Sequence, residues 1–383
     1  MCDILKHTTM KTGDKTMKKI HRTLSLFTVA AMCAALLCSC GAVSDSSQTD
    51  SSSKAAATTT ADTTADTTTT GEASSTASAT SAPDSSVSDS SSAVTDDTKT
   101  NGITPAMWKV TSPEGNTMVM LGSFHALKDE CYPLPEAVTN AYNKADILAV
   151  ECDITSTSED GEYMKNLMKQ MLYNDNTKLS QHISEEAYSA LQTYLSYWGM
   201  DISALEVYRP WAVSSTLDTL LIQDADFDSE KGLDNYLLTT AHADGKEIYE
   251  VDSVDFQMNM LINFSDDIYD LMFRSYEGET KESQKQALED LYTAWKSGDI
   301  ETFLEEDNEE ELAGYTEEDK KIAEDYNNQM LYDRNKNMAK AAEDLMSQGK
   351  NVFYVVGAAH YAGEGGIIDL LEKDGYTAER VQY

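Results

Sequence analysis

Two apolar runs in this 383-residue chain end in the same way, and that repetition constrains the fold more than any other feature. Residues 118–121 run into Gly122-Ser123-Phe124-His125, and residues 352–356 run into Gly357-Ala358-Ala359-His360. Each run reads as a strand, stops at a glycine and places a histidine three residues later. Glycine at a strand end permits a tight turn or a close backbone approach to a ligand. A histidine just past that turn projects from the carboxyl edge of the sheet, where α/β folds place their ligands. Two more strands end in acids. The run 146–150 leads into Glu151, with Asp153 beyond, and the run 246–251 carries Glu250, with Asp252 beyond. If the four strands are parallel neighbours, two imidazoles and two to four carboxylates meet on one edge. Such a set suits a divalent ion (Zn, Mn or Co), with His125, His360, Glu151 and Glu250 as candidate ligands and one carboxylate left as general base. Glu151 and Glu250 can equally be read as exposed loop acids, and a single Gly-x-x-His as a structural feature.

The rest of the domain reads as strands separated by helices. Residues 108–111 and 117–121 flank the turn-rich Ser112-Pro113-Glu114-Gly115-Asn116, a hairpin pattern. Pro135 opens a helix to Lys144, Ser184 caps one that stops at Gly199, and Pro210 opens another. Met164, Leu167, Met168, Met171 and Leu172 recur at helical spacing and read as a core face. Residues 232–243 and 253–345 are helical in pattern, the acidic stretch 301–318 reading as a solvated face and loop. A helix over 365–374 and a strand over 377–382 close the chain. The expected class is α/β, mixed α+β, with a central mixed sheet and a large helical insertion. Arg334 lies three residues after Leu331 and four before Met338, inside an apolar stripe. There it needs a carboxylate or a ligand anion, or else it snorkels past the core. Gly363-Glu364-Gly365-Gly366 leads into a helix, whose amides are candidates to hold an oxyanion or a substrate carboxylate. His182 and His242 read as surface residues.

Ahead of this domain the composition changes twice. Lys18, Lys19 and Arg22 precede an uncharged apolar run over 24–37, the size of a signal-peptide core. It ends in Leu37-Cys38-Ser39-Cys40-Gly41, which resembles a bacterial lipobox and makes Cys40 the lipidated, palmitate-bearing residue. An ordinary cleaved signal peptide is the other reading, and the start is Met1 or Met17. Residues 1–40 are thus a lipoprotein signal peptide, 41–101 a Ser/Thr/Asp-rich tether expected to be disordered, and 102–383 the domain. The expected location is the bacterial cell membrane, reached only through the lipid anchor, facing the extracytoplasmic side. A formal charge of −37 repels phosphate backbones and argues against nucleic acid as a partner. Cys131 and Cys152 are either a disulfide or two separate thiols.

These motifs together resemble the TraB/PrgY/GumN family, which includes the Tiki metalloproteases. The resemblance rests on Gly122 to His125, Val150-Glu151, Arg209-Pro210-Trp211 and Gly232-Leu233-Asp234. It continues through Gly245-Lys246 before Glu250, Gln257, Arg334-Asn335, Val356 to His360, and Gly363-Glu364. It implies a fold like that of the erythromycin-esterase and ChaN group. It also implies a metal-dependent hydrolytic site, a peptidase on extracytoplasmic peptides, built on His125, His360, Glu151 and Glu250. Arg334 and Gln257 would support that site, and Asp252 is the alternative to Glu250. A competing expectation is a non-catalytic lipoprotein that captures a peptide signal or a haem-like ligand.

Overall fold

In the computed structural model of the protein, the described residues are 101–158, 160–304 and 315–383. The expected signal peptide, Cys40, nearly all of the tether and the centre of the acidic stretch lie outside them.

Six strands form one mixed sheet. In chain order they are β1 (Met107–Thr111), β2 (Thr117–Ser123), β3 (Ile147–Val150), β4 (Glu247–Glu250), β5 (Val352–Gly357) and β6 (Thr377–Arg380). Across the sheet they lie in the order β4-β3-β5-β2-β1-β6. The hairpin forms as its turn residues require, with Met107 opposite Leu121 and Thr111 opposite Thr117. The four consecutive strands β4, β3, β5 and β2, counted from the β4 edge, are parallel, so their carboxyl ends share one edge. β3 and β5 are buried along their whole length, as expected for apolar runs covered on both faces.

The helices are α1 (Glu136–Lys144), α2 (Ile154–Ser158), α3 (Gly161–Gln170), α4 (Glu185–Ser196), α5 (Pro210–Asp224) and α6 (Leu233–Asp244). They continue with α7 (Val254–Ile262), α8 (Asp266–Arg274), α9 (Lys281–Ser297), α10 (Glu317–Asn327), α11 (Asp333–Ser347) and α12 (Ile367–Lys373). Their ends follow local chemistry. The Ser184 hydroxyl accepts the Ala187 N–H at the start of α4, and Pro210 occupies the first turn of α5. Gly245 closes α6 in the left-handed region, at φ 66°, a conformation other residues adopt at a cost. A five-residue π-helical segment, Asn328–Tyr332, joins α10 to α11.

The apolar interior has two parts. One surrounds the sheet and takes in Leu148, Phe353 and Trp295. The other lies within the helical insertion, around Trp211, Tyr269 and Leu191. Helix α5 serves both, giving Trp211 and Leu217 to the second and Leu221 and Ile222 to the first. Cys131 and Cys152 are separate buried thiols.

Candidate functional site

The parallel register sets the site. Gly122 pairs with Val356 and Ser123 with Gly357, so the two Gly-x-x-His turns leave adjacent strands one residue apart in height. Each motif glycine sits where a side chain has no room. A Cβ on Gly122 would lie 3.0 Å from the Ala358 Cα. One on Gly357 would lie 3.1 Å from Glu151 Oε1 and 3.3 Å from His125 Nε2. The second glycine thereby allows His125, Glu151 and His360 to gather over the end of β5.

Both imidazoles are oriented through Nδ1. That atom of His125 lies 2.8 Å from Asp234 Oδ2, and that of His360 lies 2.6 Å from Asn335 Oδ1. An oxygen acceptor at Nδ1 fixes the ring and turns Nε2 toward the cavity. The electrostatics of the two rings are opposite. Burial would lower the His125 pKa, but Asp234 and Glu151 override it and push it up to about 9. Burial and the nearby Arg334 charge hold His360 down at about 3. His360 is therefore neutral near pH 7, and its 3.7 Å approach to Glu151 Oε1 is not a charged pair.

Glu151 is the hub. Its Oε2 accepts from Arg334 Nη2 and, at 3.1 Å, from Gln257 Nε2, while Oε1 accepts the Gly357 N–H at 2.7 Å. Burial alone would raise its pKa, but Arg334, with the charged His125 and the Gly357 amide, holds the carboxyl well below the usual range. Arg334 also donates from Nε to Asp252 at 2.9 Å and from Nη1 to the Met330 carbonyl at 3.2 Å. Only 6% of its side chain is exposed, so it is ion-paired in the interior and does not snorkel. The π-helical segment supplies that Met330 carbonyl and turns the chain into α11, a use typical of such bulges.

A cavity of about 60 Å³ opens on this group, lined among others by His125, Glu151, Asp234, Gln257, Arg334 and His360. Glu250 is not one of its walls. It sits exposed at the end of β4, where its Oε1 accepts the Asp153 N–H at 2.8 Å. The acid that reaches Arg334 is Asp252, because the strand ends at Glu250 and the chain then bends into the Ser253 cap of α7. Two of the amides past His360 are engaged. Gly365 N–H donates to Asp369 and Gly366 N–H to the Gly363 carbonyl. His182 pairs with Asp266, and His242, largely exposed, pairs with Asp153, both away from the cavity.

In donor type the site fits a divalent ion, with two imidazole nitrogens and one carboxylate oxygen. Among the described residues, no group of three or more His, Cys, Asp or Glu side chains is spaced to enclose one. Asp234 and Asn335 hold the rings and stand within the motif residues of the sequence, yet no spacing rule links them to His125 and His360. They lie 109 and 25 residues from their partners.

Fold and site together define a mixed α/β protein with two strand-end histidines over a buried carboxylate–guanidinium network. The sequence pattern of the TraB/PrgY/gumN family matches residues 106–380, and the chain belongs to that family. It is similar to a "Metalloprotease TIKI homolog" of Nematostella vectensis, 24% identical over 293 residues, covering 65% of this chain and 61% of that one. It is also similar to "Uncharacterized protein YbaP" of Escherichia coli (strain K12), 25% identical over 157 residues, covering 41% of this chain and 56% of that one. The chain thus spans about three fifths of the length of these curated relatives. No solved structure matches it.

Proposed function

We propose that the domain is a metal-dependent hydrolase acting on peptides, with a fold related to the erythromycin-esterase and ChaN group. The observation that carries this reading is the pair of imidazoles, each anchored at Nδ1 and each offering Nε2 to the same cavity beside Glu151. His360 and His125 would hold the ion, His125 releasing on metal binding the proton that Asp234 and Glu151 otherwise keep on it, with Glu151 Oε1 as the oxygen donor. A divalent ion there supplies a Lewis acid and acidifies water. Asp234 and Asn335 keep the two nitrogens aimed. Arg334 and Gln257 keep Glu151 ionised and fixed, and with its donors engaged Arg334 acts through Glu151 rather than on a substrate carboxylate. Relationship to a protein named a metalloprotease supports the peptide assignment.

The test is cleavage of a peptide library by the full chain, with chelator and after adding back Zn, Mn or Co. Loss on chelation and loss in His125→Ala and His360→Ala support the reading; full activity in both variants sinks it. We also propose that Cys40 anchors the chain at the outer face of a bacterial membrane, the reading its lipobox-like context supports. Cys40→Ala then moves the chain from the membrane fraction to the soluble one.

A further inference from the structure

The cavity beside Glu151 has two chemically different walls. One is the polar group already described, and the other is formed by Ile154, Met260, Leu261 and Met330. Two elements that build the polar wall also supply the apolar one. Helix α7 donates Gln257 to Glu151 and, one turn later on the same face, presents Met260 to the cavity. The π-helical segment gives the Met330 carbonyl to Arg334 and the Met330 side chain to this wall. Leu261 and Met330 are buried and close the wall from behind. Ile154, the first residue of α2, and Met260 keep part of their surface open.

The ionisable groups around the cavity are engaged with one another. Arg334 holds Glu151 and Asp252, and Asp234 holds His125. None of them is left over to meet a charged side chain, and the apolar wall carries no hydrogen-bond donor. A polar side chain placed there gives up its water partners without replacement, whereas an apolar one only leaves water. Two of the four wall residues are methionines, whose unbranched side chains adapt to aliphatic shapes. The spacing also fits. Three residues of helix advance about 4.5 Å from Gln257 to Met260. One residue of extended peptide covers about 3.5 Å, so a peptide bond over Glu151 brings a neighbouring side chain to Met260.

We propose that this wall is the subsite for an aliphatic side chain, such as leucine or methionine, on a residue flanking the bond that is cut. The proposal rests on the hydrolase reading for the reaction and adds to it the side chain that sets where a peptide is cleaved. Ile154 and Met260 would cover that side chain, with Leu261 and Met330 behind it.

The experiment uses uncharged, end-blocked peptides of glycine and serine with a single leucine, or asparagine of nearly the same shape, at one position. Each is given to the full chain supplied with Zn, Mn or Co, the cut being read by mass spectrometry and binding by calorimetry. Cleavage is expected beside the leucine and should follow it when it is moved along the peptide. In kcat/KM the leucine peptide should lead the asparagine peptide by about tenfold. Met260→Ser should bring the two peptides level, and Met260→Leu should keep the preference. Met168→Ser, the same change at an exposed methionine of α3, should keep it as well. Cleavage that ignores the leucine overturns the subsite and leaves the hydrolase standing. So does a preference that survives Met260→Ser, or one that Met168→Ser lowers equally. Leucine-selective binding that Met260→Ser abolishes, without cleavage, keeps the subsite and removes the hydrolase. An absence of both binding and cleavage overturns both.

Discussion

At the scale of single residues, the site depends on one guanidinium. Arg334 is the shared cation of buried Glu151 and of Asp252, a partly buried residue whose side chain is 5% exposed. Removing one partner of a buried charge cluster leaves the others uncompensated, a loss of about 3–5 kcal/mol. Arg334→Met should therefore lower unfolding free energy by that order in urea denaturation, and Arg334→Lys, which keeps charge but not the fork, by less. Gly357→Ala tests a different property. Its Cβ would press on Glu151 Oε1 and His125 Nε2, and its three nearest neighbours are all side-chain atoms of the site. Activity should fall by about tenfold or more, because small misplacements in a site are costly, while the melting temperature moves little. What the sequence made legible here was the set of strand ends, because glycine, histidine and glutamate each leave a local mark. It left open which of two acids two residues apart meets Arg334, since that turns on where β4 stops pairing. The partners Asp234 and Asn335 are tertiary contacts, and periodicity carries no trace of those.

At the scale of elements, the caps and the one irregular helix carry the consequences. Helix α10 starts in a capping box in which Thr316 and Asp319 exchange hydrogen bonds, and Asp319 also takes Arg274 from α8. Burial would raise the Asp319 pKa, but Arg274 and Thr316 outweigh it and hold the carboxyl below its usual value. A depressed carboxyl adds stability that is complete above its unfolded pKa of about 3.9 and is lost as pH falls toward the folded value. Stability measured by denaturation should decline in that acid range, and less steeply in Asp319→Asn. The π-helical segment makes a separate prediction. Deleting Gln329 restores an ordinary α-helical repeat, leaves α10 and α11 in nearly the same relative orientation and removes the bulge that presents the Met330 carbonyl to Arg334. Far-UV circular dichroism should be retained while activity drops about tenfold or more, because the Met330 carbonyl no longer steadies Arg334. Helix starts at Ser184 and Pro210 were readable from their caps. The π segment was not, since one extra residue in a turn leaves the apolar stripe nearly unchanged.

At the scale of the whole molecule, charge and topology act together. A chain of formal charge −37 attracts basic peptides over a distance, and that attraction is screened by salt. For an otherwise uncharged peptide carrying one lysine, kcat/KM should fall several-fold, in order-of-magnitude terms, between about 20 and 300 mM salt, and the same peptide with norleucine in place of the lysine should show little change. The sheet class and its helical insertion were legible because apolar runs alternate with helical patterns along the chain. The strand order was not, because β6 returns to pair with β1 from the far end of the domain.

That return has a mechanical meaning. β1 is hydrogen-bonded on both sides, to β2 in one ladder and to β6 in the other. A pull arriving along the residues before Met107 meets two ladders that must slip together, rather than a single edge that peels bond by bond. Beside β1, β2 carries the first Gly-x-x-His turn, so the double ladder shields the histidine geometry from tension transmitted along the chain.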